Sequence, residues 1–274
     1  MTHGVVAELP RLIATDLDGT LLGEGGAVSA RSAAVLRRAA AAGAAVVLVT
    51  GRSQRRLLTV FADLGAGYLA ICANGAVVYD PTEARVRRCR PIGPGHVREV
   101  CLRLRQRVPQ VVFAAHVDCG STMLHEPGWP VRRLSPAVSL LAGAQELFDV
   151  PVVKLQARAS GMDPDVFVKL VSETVGDVAE VTWQGYQGLV EMTRRGVTKA
   201  SALAEMAAEL RVAPAEVLAF GDMPNDVSML RWAGRSVAVA NAHTLARAAA
   251  KEVTLSNVED GVALYIERLL SGPP

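Results

Sequence analysis

Two carboxylates, Asp16 and Asp18, stand two residues apart at the end of a short apolar run, Leu12-Ile13-Ala14-Thr15. A run of that length and composition predicts a buried strand. Residues i and i+2 of a strand share a side, so the two carboxylates converge on one small volume. Gly19 follows at once and permits a sharp exit from the strand. Like charges that close repel unless a cation or a shared proton offsets them. A hard divalent cation such as Mg²⁺, which takes oxygen ligands, meets that need. An ionised carboxylate beside it is also a nucleophile toward phosphorus. A bare Asp-x-Asp serves turns more often than chemistry, so the rest of the chain has to supply partners.

Three further apolar runs end in polar groups: Thr50-Gly51-Arg52 after Ala44 to Val49, Asn74-Gly75-Ala76 after Tyr68 to Ala73, and Gly221-Asp222-Met223-Pro224-Asn225-Asp226 after Val217 to Phe220. Lys199 follows Thr198, which reads as the N-cap of a helix. A cation there opposes the helix dipole, which argues for an anionic partner. Singly, each has an ordinary use: a strand-end hydroxyl bonding nearby backbone, a solvated lysine, a set of helix caps. Together they offer three carboxylates for a divalent ion and a lysine and hydroxyl for an oxyanion. That is the equipment of phosphoryl transfer, where positioning and charge neutralisation do most of the catalysis.

The elements that carry these groups alternate strand and helix at both ends of the chain, which predicts a parallel sheet. Ser29 caps a helix to Ala42, and Ser53 is expected to cap another to about Leu64. In such sheets ligands bind beyond the carboxyl ends of the strands, where all four groups fall. Asn74-Gly75 has the composition of a hairpin turn. From Pro81-Thr82 the pattern changes. Strand-like runs at Val111 to Val117, Met123 to Glu126, Val152 to Ala157 and Ala179 to Met192 mix with helices expected from Ser135-Pro136 to Phe148 and from Asp165 to Val175. Residues 82–190 therefore read as an α+β domain inserted into a core made of 1–81 and 191–274. The core closes with a strand at Ser236 to Val239, a helix near Leu245 to Ala250, a short strand at Thr254-Leu255 and a helix from Val262 to Leu270. Between Arg85 and Arg107 there are eight arginines and one acid, Glu99, a solvated face first and an attractor of anions second.

With 274 residues, half of them hydrophobic, the chain has room for one large or two modest globular domains. A net charge of +2 excludes a strongly basic nucleic-acid or membrane-surface protein. Cys72, Cys89, Cys101 and Cys119 have no CxxC spacing, which argues against zinc, and would make a sparse disulfide framework. Met1 to Leu9 lacks the basic start and apolar core of a signal peptide, and no apolar run approaches the ~20 residues of a membrane span. The expected setting is soluble, reducing and cytoplasmic.

Asp16-Leu17-Asp18-Gly19-Thr20, Val49-Thr50-Gly51-Arg52, Lys199 and Gly221-Asp222-x-x-Asn225-Asp226 resemble the four motifs of the haloacid-dehalogenase superfamily, and within it the Cof-like phosphatases. Asn74-Gly75-Ala76, Gly196-Val197-Thr198-Lys199, Asn241-Ala242 and Glu259-Asp260-Gly261-Val262-Ala263 fit the same branch. Met223 stands where that branch more often has Asn or Gly. The resemblance covers 1–81 and 191–274; over the insert it extends to placement and element pattern only. It implies an α/β, Rossmann-like core with a C2-type cap at 82–190, and a Mg²⁺-dependent phosphatase of small phosphomonoesters such as sugar phosphates. It makes Asp16 the nucleophile and a metal ligand, Asp18 the general acid/base with its carbonyl on the metal, and Asp222 a further ligand supported by Asn225 and Asp226. Thr50, Gly51 and Lys199 would hold the phosphoryl group, with Arg52, Asn74 and Asn225 nearby. The expected partner is a small phosphate ester, with no nucleic acid or membrane, and the chain is expected as a monomer or homodimer. A phosphotransferase or mutase on similar substrates, or a silent sugar-phosphate-binding regulator, are the alternatives. The cap placement disfavours the first and the intact Asp16/Asp18 pair the second.

Overall fold

The computed structural model describes residues 9–65, 67–130, 138–141, 143–183 and 188–271. Its larger sheet takes strands from both ends of the chain. They are β1 (Leu12–Thr15), β2 (Ala45–Val49), β3 (Leu69–Cys72), β4 (Val77–Asp80), β5 (Arg85–Cys89), β12 (Val217–Gly221), β13 (Arg235–Ala238) and β14 (Glu252–Val253), in the order β14-β13-β12-β1-β2-β3-β4-β5. The pairings from β14 through β3 are parallel, and β4 and β5 turn back antiparallel. The central strands are continuous apolar runs because both faces are covered. The covering helices are α1 (Ala30–Ala41), α2 (Leu58–Leu64), α5 (Lys199–Glu209), α6 (Val227–Trp232), α7 (Thr244–Ala249) and α8 (Gly261–Ser271); α1 packs on α2 and α8, and α5 on α6.

Register explains the convergence read from the sequence. Thr15 pairs with Leu48 on one side and Phe220 on the other, so β1, β2 and β12 end level. The Asp16 amide donates to Phe220 O at 3.0 Å and that of Thr50 to Ile71 O at 2.8 Å.

The smaller sheet is built from β6 (Val112–Val117), β7 (Thr122–His125), β8 (Val138–Leu140), β9 (Lys154–Arg158), β10 (Ala179–Trp183) and β11 (Val190–Arg194), in the order β10-β11-β9-β6-β7-β8. Its side chains alternate with the pleat. Phe113, Ala115, Leu155, Ala157, Val190 and Met192 form a second apolar core, separate from that of the larger sheet, with helices α3 (Pro94–Arg107) and α4 (Pro164–Val175). The opposite face of the central strands carries the polar His116, Lys154, Gln156, Glu191 and Thr193, with Ala114 beside them.

Several expectations shift. β5 belongs to the larger sheet and β11 to the smaller one, so sheet membership changes near residues 90 and 195, whereas 82 and 190 were the expected limits. The helix expected over 135–148 is replaced by β8 and a 3-10 turn at Ala144–Leu147; Ser135 and Pro136 lie outside the described residues. Val138 to Leu140 instead pairs with β7, and Leu141, Ala144 and Leu147 reach the second core. Ser53 makes no side-chain cap, and a 3-10 turn at Gln54–Leu57 leads into α2. The last strand lies two residues before Thr254-Leu255.

Most of the arginine-rich stretch is engaged locally. Arg87 pairs with Asp80, Arg88 and Arg90 with Glu205, Arg103 with Glu99 and Asp177, and Arg105 with Glu126. Its charge is spent on acids of neighbouring elements, which favours the structural reading of these arginines.

Cys89 at the end of β5 and Cys119 in the turn between β6 and β7 form a disulfide, with Cα atoms 5.8 Å apart, and Cys72 and Cys101 are free and buried. One bridge among four cysteines is the sparse framework that the sequence allows. The fold brings together two residues whose spacing of 30 carries no signal.

Candidate active site

The strand ends deliver Asp16, Asp222 and Asp226 to one point: each offers an oxygen within 4.8 Å of the other two, and all three residues are buried. Lys199, the first residue of α5, lies between them. Its Nζ donates to Asp16 Oδ1 at 2.5 Å and to Asp226 Oδ1 at 2.6 Å, with only 1% of the side chain exposed. Thr198 fixes that helix start by accepting from the Ser201 amide at 3.0 Å. The second Asp226 oxygen accepts the amides of Asp222 and Met223, both at 3.0 Å. Asp222 accepts from the Thr20 hydroxyl at 2.7 Å, and its Oδ2 has no partner. Gly19, with φ +79°, is required here, because a Cβ on it would stand 2.4 Å from that same oxygen.

The electrostatics follow from the crowding. Burial pushes the Asp16 carboxyl well above its ordinary value, against the attraction of Lys199 and helped by Asp226 and Asp222. Burial and the Asp226 charge push Asp222 up to about 7, opposed by the Thr20 hydrogen bond. Burial works against the Lys199 ammonium, but Asp16 and Asp226 together hold its pKa above the usual lysine range. One cation for three buried carboxylates leaves the site short of positive charge. The unpartnered Asp222 Oδ2 and Asn225 Oδ1 are both buried acceptors. An all-oxygen donor set with a charge deficit and unpartnered acceptors fits a hard divalent cation.

Asp18 lies apart from the trio. Its carboxylate is half-exposed and takes Arg52 as a two-pronged partner, with Nε at 2.7 Å and Nη2 closer still. Arg52 is therefore committed to Asp18. Thr50 is buried and its Oγ1 accepts the Arg52 amide at 3.0 Å, leaving the hydroxyl proton to donate elsewhere. Asn74, in the left-handed region at φ 55°, accepts from Asn225 Nδ2 at 3.1 Å. A small open pocket is lined by Asp16, Asp18, Gly51, Met223 and Asn225. Every sequence-predicted residue thus lies at this edge, while Asp18 and Arg52 pair at its rim. Thr20, Glu191 and the hydrogen bond from Asn241 Nδ2 to Gly19 O at 2.8 Å were not anticipated as supports.

The chain matches the haloacid dehalogenase-like hydrolase family over residues 13–266 and belongs to it. It is 30% identical over 290 residues to phosphatase YwpJ of Bacillus subtilis, covering 95% of this chain and 100% of that protein. It is 28% identical to pyridoxal phosphate phosphatase YbhA of Escherichia coli, over 93% and 97% of the two chains. The fold is shared with SMU.1108c of Streptococcus mutans, with a TM-score of 0.85 at 24% identity over 96% and 99% of the two chains.

Proposed function

We propose that the chain is a Mg²⁺-dependent phosphatase of small phosphomonoesters working through an aspartyl-phosphate on Asp16. The observation that carries this reading is the buried Asp16–Lys199–Asp226 contact beside Asp222 with its unpartnered oxygen. Asp16 and Asp222, with the Asp18 carbonyl and with Asp226 behind them, would hold Mg²⁺, which supplies Lewis-acid neutralisation of phosphoryl oxygens when bound.

Asp16 attacks phosphorus with a carboxylate oxygen while the bond to the leaving oxygen breaks. Asp18 gives that oxygen a proton and then takes one from the water that cleaves the acyl phosphate, releasing inorganic phosphate and regenerating Asp16. Lys199 neutralises charge beside Asp16, and the Thr50 hydroxyl and Gly51 amide hold phosphoryl oxygens. Asp18 exchanges one of its Arg52 hydrogen bonds for the leaving oxygen or water, and its half-exposed place at the rim supports that reach. Residues 90–195, carrying the smaller sheet, would serve as a cap that selects the ester and excludes water. The names of the relatives support the phosphomonoester class, pyridoxal phosphate among its members. A cytoplasmic setting is part of the same proposal.

The test is Asp16→Asn assayed on p-nitrophenyl phosphate with Mg²⁺. Turnover is expected to vanish while the far-UV circular dichroism stays unchanged. Near-normal turnover would sink the mechanism.

A further inference from the structure

The polar face of the smaller sheet holds a buried ion pair that the chemistry above does not use. Lys154 of β9 and Glu191 of β11 meet at 2.5 Å, with side chains only 4% and 2% exposed. Lys154 Nζ also donates to Gly51 O at 2.7 Å. The Glu191 carboxylate accepts from Gln156 Nε2 at 2.7 Å through the same oxygen that meets Lys154, and from Asn74 Nδ2 at 2.8 Å through the other. Asn74 in turn accepts from Asn225, whose own Oδ1 is one of the unpartnered acceptors of the site. Burial opposes ionisation of Glu191. The Lys154 charge and the hydrogen bonds from Lys154, Asn74 and Gln156 nevertheless hold its carboxyl below the usual range, so the pair is ionic.

A buried ion pair is a weak source of stability, because desolvation of the two charges offsets most of their attraction. This one lies within the smaller sheet, and its further hydrogen bonds cross to the two loops of the larger sheet that deliver the phosphate-side groups, 50–52 and 74–76. Its bonds fix a carbonyl and a side-chain amide, each one step from a group aimed into the pocket. Resting on the phosphatase reading of that pocket, we propose that Lys154 and Glu191 are positioning residues: seated together, they lock the Gly51 carbonyl and the Asn74 amide, and so make the phosphate-loop geometry depend on the smaller sheet being docked. Gly51 O shares its peptide plane with the Arg52 amide, which donates to Thr50 Oγ1 at 3.0 Å, so the hold of Lys154 on that oxygen also fixes the donor to the Thr50 hydroxyl. Asn74, held from one side by Glu191, presents its oxygen to Asn225 and orients that side chain.

The proposal separates stability from rate. Lys154→Met and Glu191→Gln each leave one buried charge unpaired and should lower the melting temperature sharply. The double variant, Lys154→Met with Glu191→Gln, has no unpaired charge and should recover most of that loss. Its kcat/KM on p-nitrophenyl phosphate should nevertheless stay down by about 10²-fold, the scale of a small misplacement of positioned groups. The rise in melting temperature that orthovanadate with Mg²⁺ gives the wild type should shrink with it. Lys154→Arg retains the charge pair while replacing a point donor by a planar fork. It should fold, and lose about 10-fold in kcat/KM; a wild-type rate in that variant overturns the proposal even if the double variant fails to fold. A double variant with wild-type stability, rate and vanadate response assigns the pair to packing alone and overturns the positioning role. A wild type that neither hydrolyses the ester nor responds to vanadate overturns the phosphatase reading and the proposal with it.

Discussion

Lys199 bonds both Asp226 and Asp16, whose carboxyl burial pushes up, so its ammonium is the counter-charge that the buried site depends on. Lys199→Met should cut turnover of p-nitrophenyl phosphate by at least ~10²-fold, the cost of losing one preorganised oxyanion donor. Far-UV circular dichroism should barely change, because Asp16 takes up a proton readily once its counter-charge is gone. A normal rate would return Lys199 to a purely structural role. This residue was legible in the sequence because a cation at a helix N-terminus is out of place without an anion. Arg52 was legible only as a neighbour. Its long side chain allows several partners, and the spacing of Thr50-Gly51-Arg52 does not reveal that it pairs with Asp18. Glu191 was invisible, since an acid alternating with Val190 and Met192 on a strand reads as a solvated position.

At the scale of elements, the site depends on how closely the Asn74 turn approaches the start of α5. Gly75 has φ +108°, and a Cβ there would stand 2.2 Å from Thr198 O and 3.3 Å from Lys199 N. Two functional side chains, Asn74 and Lys199, are therefore set by one backbone-to-backbone contact that tolerates no side chain. Gly75→Ala should cost about 1–3 kcal/mol from backbone strain alone, and more as the two segments move apart. Chemical denaturation should show the loss, together with a fall in kcat. An unchanged unfolding midpoint would mean that the turn yields without moving α5. The sequence read Asn74-Gly75 as a hairpin turn, and β3 and β4 do pair antiparallel around it. The alternation of strand and helix, the Ser29 and Thr198 caps and the gathering of the strand ends at one edge were likewise readable from periodicity and capping residues. The stretch around 138–147 was not. A three-residue strand and a short 3-10 turn present too few residues for either period to register, and pairing with β7 decides the conformation.

At the scale of the molecule, the two sheets have separate apolar cores joined by Val153, just before β9, which packs into that of the larger sheet, and by polar and covalent ties beside the site. Gln54 Nε2 donates to Cys119 O at 2.9 Å and Arg55 to Ser121 O at 2.7 Å, while the Cys89–Cys119 disulfide links the edge strand β5 to the same turn. Among the described residues no helix is long and apolar enough to cross a membrane. The second sheet falls within the stretch that follows the change of pattern after Thr82. The joints were not legible, because each pairs residues far apart in sequence and a link of that kind leaves no local period. The disulfide tests how much the docking of the sheets owes to the covalent tie. Closing a loop of 30 residues restricts the unfolded chain by about 3–4 kcal/mol in the chain-entropy account. Alkylation under denaturing conditions should label two thiols, Cys72 and Cys101, in the air-oxidised protein and four after reduction. The urea midpoint should fall on reduction, and Cys89→Ser should reproduce the reduced value. If the oxidised and reduced proteins unfold at the same midpoint, the Val153 contact and the hydrogen bonds from Gln54, Arg55, Lys154 and Asn74 suffice to seat the smaller sheet, and the disulfide adds no stability to that joint.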